Sequence, residues 1–188
     1  ALPISPPAFD SMPVTLSTCA TRPGKGLKLT SRVDPFYGII TERRIELVPG
    51  KPQMIITTEY RKVEGDPRKV GVWVITQLKD PAAVFAPLPK RLLDAEGFNK
   101  QSEALPLDLK IKDSLLSCRR DPKNSTKIGT EAGTLIWIGE QHVVRIDSSR
   151  VRGLEYPDQG SSAEIYTNPD PATYVELELL GPLQQMKV

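Results

Sequence analysis

The stretch from Tyr156 to Leu183 constrains this chain more than any other. It reads as two alternating strands, 162–168 and 173–180, joined by a tight turn that carries Pro169 and Pro171. Alternation places Ser162, Glu164 and Tyr166 on one face of the first strand. It places Tyr174, Glu176 and Glu178 on one face of the second. The opposite face carries Ala163, Ile165, Val175, Leu177 and Leu179, and so points to a core. A loop over 168–172 sets Glu164 across from Glu176; a shift of two residues on one strand pairs Glu164 with Tyr174 or Glu178 instead. In every register the acids are neighbours on one face. Like charges directly opposite destabilise a sheet, so such a chain either holds a cation nearby or uses the acids. Neither strand carries a Lys or Arg. One arginine of Arg43-Arg44, in a hairpin of alternating charge, is a candidate to answer them.

The rest of the chain repeats this β character. Short runs rich in Val, Ile, Thr and Tyr cover 14–20, 27–33, 37–48, 53–63, 71–78, 83–86, 114–119, 133–139 and 142–147. Gly and Pro punctuate them, as at Arg22-Pro23-Gly24-Lys25-Gly26 and Pro49-Gly50-Lys51-Pro52. No long helix-period run competes; 90–96 offers a single helical turn, and 97–113 reads as a long loop apart from 105–111. An all-β, antiparallel β-sandwich is expected, with residues 1–188 as one domain. At 188 residues and 39% hydrophobic content the chain is long enough for a substantial core.

Charge and composition exclude several classes of function. A net charge of +2 with no interleaved basic and aromatic patch gives no reason to expect nucleic acid. No apolar run approaches the length of a membrane span. One histidine, His142, cannot build a multi-histidine metal centre, and no Gly-rich phosphate loop, serine elbow or Cys/His ligand spacing appears, so no metal or cofactor is expected. Cys19 and Cys118 stand far apart and read as buried thiols rather than a disulfide.

The acids share their face with Tyr166 and Tyr174, and rings interleaved with carboxylates suit the apolar faces and hydroxyls of a sugar. The competing reading is a solvated outer face. Tyr156-Pro157-Asp158-Gln159-Gly160 is either a plain turn, with Gly160 in the left-handed position, or a loop that brings Asp158 to the mouth of a site. Gln77 is a polar residue in an apolar strand; it either reaches a ligand or caps the strand end. Trp73 and Trp137, flanked by β-branched residues, are candidates for core or for a sugar platform.

Three blocks also carry a family resemblance: Tyr156-Pro157-Asp158-Gln159-Gly160, Glu164-Ile165-Tyr166-Thr167-Asn168, and Glu176-Leu177-Glu178-Leu179-Leu180-Gly181-Pro182-Leu183. Weaker matches lie at Leu29-Thr30-Ser31 with Asp34-Pro35, at 73–78 and at Lys127-Ile128-Gly129-Thr130. They resemble an uncharacterised bacterial family related to the aldose 1-epimerases (galactose mutarotases). The resemblance implies a β-supersandwich with a concave sheet face toward a sugar, an extracytoplasmic location, and further strands upstream in a longer protein. It implies Glu178, with Glu176 beside it, as the general base on an anomeric hydroxyl. Glu164, Asp158, Tyr166, Tyr174, Gln77 and Trp73 then become substrate-binding candidates. The chain departs from the pattern at the general acid: the strand 73–78 holds no His, and His142 falls in a hairpin that does not match. A carbohydrate-binding module without catalysis, an epimerase-like enzyme and a structural sandwich domain are the three readings that follow.

Overall fold

The computed structural model describes residues 13–21, 24–90, 92 and 95–188; most of the proline-rich arm and part of the 90–96 turn lie outside the described residues. The chain is almost entirely β, with antiparallel pairing throughout its named strands. Two compact units divide it, one formed by 1–72 with 184–188 and the other by 73–183.

The first unit holds a four-stranded meander of β1 (Val14–Thr21), β2 (Gly24–Ser31), β3 (Ile39–Leu47) and β4 (Met54–Lys62), in that spatial order. The short strands β5 (Arg68–Val70) and β16 (Gln184–Met186) form a separate pair. The meander closes at one end around Asp34 and Ile39, both buried. Asp34 Oδ1 accepts from the backbone N–H groups of Phe36 and Tyr37, while Lys62 Nζ donates to the carbonyls of Tyr37 and Glu64. Gly38 sits at φ 62° with its α-carbon against the Glu64 carbonyl, a place no side chain fits.

The second unit contains two five-stranded sheets. One runs β13 (Val143–Asp147), β12 (Thr134–Ile138), β7 (Ala83–Pro87), β10 (Leu115–Arg119) and β9 (Leu107–Lys112). The other runs β6 (Trp73–Lys79), β15 (Tyr174–Leu180), β14 (Ala163–Thr167), β11 (Thr126–Thr130) and β8 (Asn99–Lys100). One apolar cluster joins them: Val84, Ala86, Leu116, Cys118 and Leu135 from the first, Ile128, Ala163, Ile165, Val175 and Leu177 from the second. This is the expected sandwich, and the alternation at 163–167 and 174–180 places the expected apolar set inside it. The stretch read as an irregular loop holds the short β8, the segment set apart from it at 105–111 largely coincides with β9, and β11 follows as a strand that alternation did not single out. Trp137 packs against the core and donates its indole N–H to the Lys79 carbonyl at 2.8 Å.

Candidate functional site

The outward face of the second sheet gathers almost every residue that the sequence nominates. Directly paired residues of adjacent strands share a face. One row therefore reads Ile75, Glu178, Glu164, Gly129 and Asn99, and the next reads Gln77, Glu176, Tyr166 and Lys127. Tyr174 continues the face beside Lys79, and Trp73 lies on it at the other end. Of the three possible registers, the one formed sets Glu164 opposite Glu178, with Glu176 opposite Tyr166.

The opposed acids are answered by Lys127, which β11 brings alongside β14. Its Nζ lies 2.9 Å from Glu178 Oε2 in a directed hydrogen bond, and 2.7 Å from Glu164 Oε2 as an ion pair. The cation is this lysine rather than Arg43 or Arg44. Arg44 pairs with Glu42 and Glu59 on its own hairpin, and Arg43 donates to Thr58. Glu164 and Glu178 are 0% and 1% exposed, although they lie on the face turned away from the apolar core. Two charges this deep survive because each is paired and hydrogen-bonded. Trp73 donates its indole N–H to Glu178 Oε2 at 2.7 Å, and Lys127 Nζ stands 5.4 Å from the Trp73 ring. Trp73 thus holds a carboxylate in place in this structure.

Glu164 is tied on its other side into an amide and hydroxyl network. Gln101 Nε2 donates to Glu164 Oε1 at 2.7 Å and to Asn99 Oδ1 at 2.9 Å. Asn99 donates to Ser161 Oγ, which donates in turn to the Asp158 carbonyl. Gly129 lies beneath this network; a β-carbon there would strike Ser161, Gln101 and Asn99. Asp158 and Gln159 themselves take left-handed backbone, at φ 47° and 61°, ahead of Gly160 at 90°. The turn therefore uses three successive positive-φ residues where the sequence suggests one. Beside it, Gly97, Phe98, Asn99, Gly129, Thr130, Glu131, Gln159 and Gly160 line a cleft of about 200 Å³.

Burial and charge shift several groups. Burial raises the Glu164 carboxyl above its usual range even though Lys127 pulls it down, and Glu178 adds to the rise. The Asp158 carboxyl is raised by burial and then by Glu164. Burial pulls the Lys127 ammonium down, but Glu178 and Glu164 outweigh it and the net shift is upward. Lys127 is thus held as a cation. Glu176 is half-buried and raised by burial, with Lys127 opposing. It makes no ion pair among the described residues.

Tyr166 and Tyr174 stand 6.3 Å apart, centroid to centroid, at 44°. Tyr166 donates its hydroxyl to Asn168 Oδ1 at 2.7 Å. Gln77 is exposed on the same face, directly across from Glu176. Burial, then Glu176 and Tyr166, raise the Tyr174 phenol. The face thus grades from an enclosed charge centre to half-buried Glu176, Tyr166 and Tyr174, and then to exposed Gln77. His142 is exposed in the β12–β13 turn, on the other sheet. Among the described residues no group of three or more His, Cys, Asp or Glu is placed to hold a metal ion. Among the described residues no helix is long and apolar enough to cross a membrane.

Lys127, Gln101, Asn99 and Ser161 were not nominated by sequence. The signal for Lys127 was indirect: two acids on one face with no cation on their own strands. No family model, curated protein or solved structure matches this chain.

Proposed function

We propose that the second unit is a carbohydrate-binding module of the mutarotase-like type, with its contact surface at Glu176, Tyr166, Tyr174 and Gln77. One observation carries this reading: a half-buried carboxylate lies directly between an exposed amide and a tyrosine, with a second tyrosine beside them on the same face. A carboxylate accepts from paired hydroxyls, an amide both donates and accepts, and the rings offer apolar surface to the C–H face of a pyranose. The Glu164–Lys127–Glu178 centre borders this surface on the same sheet face. Glu178 is enclosed and committed to Lys127 and Trp73, which argues against it as the base that abstracts a proton from an anomeric hydroxyl.

An epimerase-like reading shifts to Glu176, because burial raises that carboxyl toward the range of a general base. Two measurements separate the readings. Intrinsic fluorescence and NMR titration with a panel of monosaccharides should show binding at millimolar concentration. Glu176→Gln should weaken it by about tenfold or more, the effect of losing one charged hydrogen-bond partner. Polarimetry on the same sugars should show no interconversion of anomers beyond the spontaneous rate. Interconversion that vanishes in Glu176→Gln would establish the enzyme instead. Absence of binding to every sugar in the panel would remove the carbohydrate reading.

A further inference from the structure

A cleft of about 200 Å³ in the second unit lies outside the contact surface assigned above; its walls include Phe98, Asn99, Gly129, Glu131, Gln159 and Gly160. Among the described residues its lining holds no lysine or arginine, so nothing there answers an anion. Its one carboxylate, Glu131, is matched by Arg150 at 3.8 Å, so the cleft does not call for a cation either. What it presents is neutral and polar. Asn99 donates one N–H to Ser161 Oγ and accepts from Gln101, which leaves its amide a second N–H and a second lone pair. The Gln159 amide is exposed and has no hydrogen-bond partner in the protein among the described residues. It is held at the cleft by backbone that side chains rarely adopt, φ 47° at Asp158 and 61° at Gln159. Such backbone costs energy and gathers at ligand sites. Half-buried Phe98 adds one ring.

Size and position also fit a sugar. The cleft has the volume of about six or seven waters. It falls below the roughly 300–1,000 Å³ of a drug-sized site, so it admits one small ring. Gly129, on the cleft wall, pairs with Glu164, while Tyr166 pairs with Lys127. Gly129 and Tyr166 are therefore diagonal neighbours about 7–8 Å apart, a gap that adjacent units of one glycan can bridge. We propose, resting on the carbohydrate reading of the Glu176 surface, that the cleft is a second saccharide subsite. The face then takes a short oligosaccharide, with one unit on Glu176, Tyr166, Tyr174 and Gln77 and its neighbour in the cleft. Two amides and a ring suit the hydroxyls and C–H face of a neutral sugar. Joining two weak sites through one ligand multiplies their affinity.

The test is NMR titration of the 188-residue chain with glucose, galactose and mannose, and with a β-linked trisaccharide of each. At least one trisaccharide should bind about tenfold or more tighter than its monosaccharide. It should shift the side-chain amides of Asn99 and Gln159 and the backbone N–H of Gly129, together with the backbone N–H groups of Tyr166 and Glu176. Gln159→Gly removes the amide and leaves a residue at ease with φ 61°. It should cut the trisaccharide preference by about fivefold, the effect of one neutral hydrogen bond. Trisaccharides that bind no tighter than monosaccharides, with the cleft amides unmoved, would overturn the second subsite; shifts at Tyr166 and Glu176 would then leave the first surface standing. A trisaccharide preference that Gln159→Gly leaves untouched would overturn it too. Failure of every sugar of either length to bind would remove both readings.

Discussion

Lys127→Met is the most searching single change in the second unit. It removes the one cation between two enclosed carboxylates while keeping much of the side chain's length. Lys127 is 7% exposed, Glu164 0% and Glu178 1%, so water cannot replace the lost charge without opening the sheet. Deleting one partner of a buried ion pair costs about 3–5 kcal/mol. Total stability for a domain is about 5–15 kcal/mol, so the loss would be a large part of it. The pH dependence follows with a definite sign. Glu164 is already raised in the folded state, so the stability linked to its proton is fullest below pH 4.5 and fades as pH rises through the folded value. Without Lys127 that folded value climbs further, so the deficit should widen toward alkaline pH, by up to about 1.4 kcal/mol per pH unit for one proton. In the parent chain Lys127 is raised above 10.5, so its contribution is complete at pH 8 and is lost only as pH rises through its folded value. Urea unfolding followed by tryptophan fluorescence reports on this unit, because Trp73 and Trp137 both lie in it. Lys127→Met should be far less stable at pH 8 and recover partly at pH 5. The triple change with Glu164→Gln and Glu178→Gln should regain most of the loss, since removing all the charges removes the conflict. A single variant within about 1 kcal/mol of the parent at pH 8 would refute the argument, because that is the worth of a solvated pair.

Three further outcomes are expected. Gly129→Ala should cost about 1–3 kcal/mol, as an overpacked site does, because its methyl group meets Ser161, Gln101 and Asn99; denaturant midpoints measure it. Gly38→Ala should destabilise the first unit by about 1–3 kcal/mol, since it combines a positive φ with a clash on the Glu64 carbonyl; amide exchange at β3 and β4 reads it. Cys118 is 1% exposed and burial pushes its thiol up to about 12, so a thiol reagent at pH 8 should leave it unmodified until the chain is denatured.

Much of the fold was legible because alternation is a local property. Ile165, Val175 and Leu177 fell on the core face whatever the register, and their burial follows from period 2 alone. The pairing of the acids was not legible, since it hangs on where the loop turns. Centring the loop on Asp170 sets Glu164 opposite Glu176; the structure centres it on Pro171, with Asn168 N–H bonded to the Tyr174 carbonyl, and every pair moves by two. The strand bearing Lys127 was missed because it is five residues long, contains Gly129, and follows the turn-rich Asp121-Pro122-Lys123-Asn124. Trp73 had signals for core or platform, and its role as a donor to Glu178 depends on a residue 105 positions away. Strand 73–79 as an element was readable; its partner was not.

The opposed acids also bear on how the hairpin finds its pairing while the chain folds. A slip of two residues between β14 and β15 keeps Ile165 and Leu177 on the apolar side, so burial barely distinguishes the alternatives. Only the native alignment lets one ammonium on β11 meet both deep carboxylates at once. A slip that sets Glu164 opposite Glu176 would put Glu176 in the place of Glu178 and carry Glu178 opposite Ser162, away from Lys127. The Glu–Lys–Glu centre therefore acts as an error check on strand pairing: it adds little to the depth of the native state relative to an apolar core, and it raises the energy of the near-native competitors that the hydrophobic pattern cannot reject.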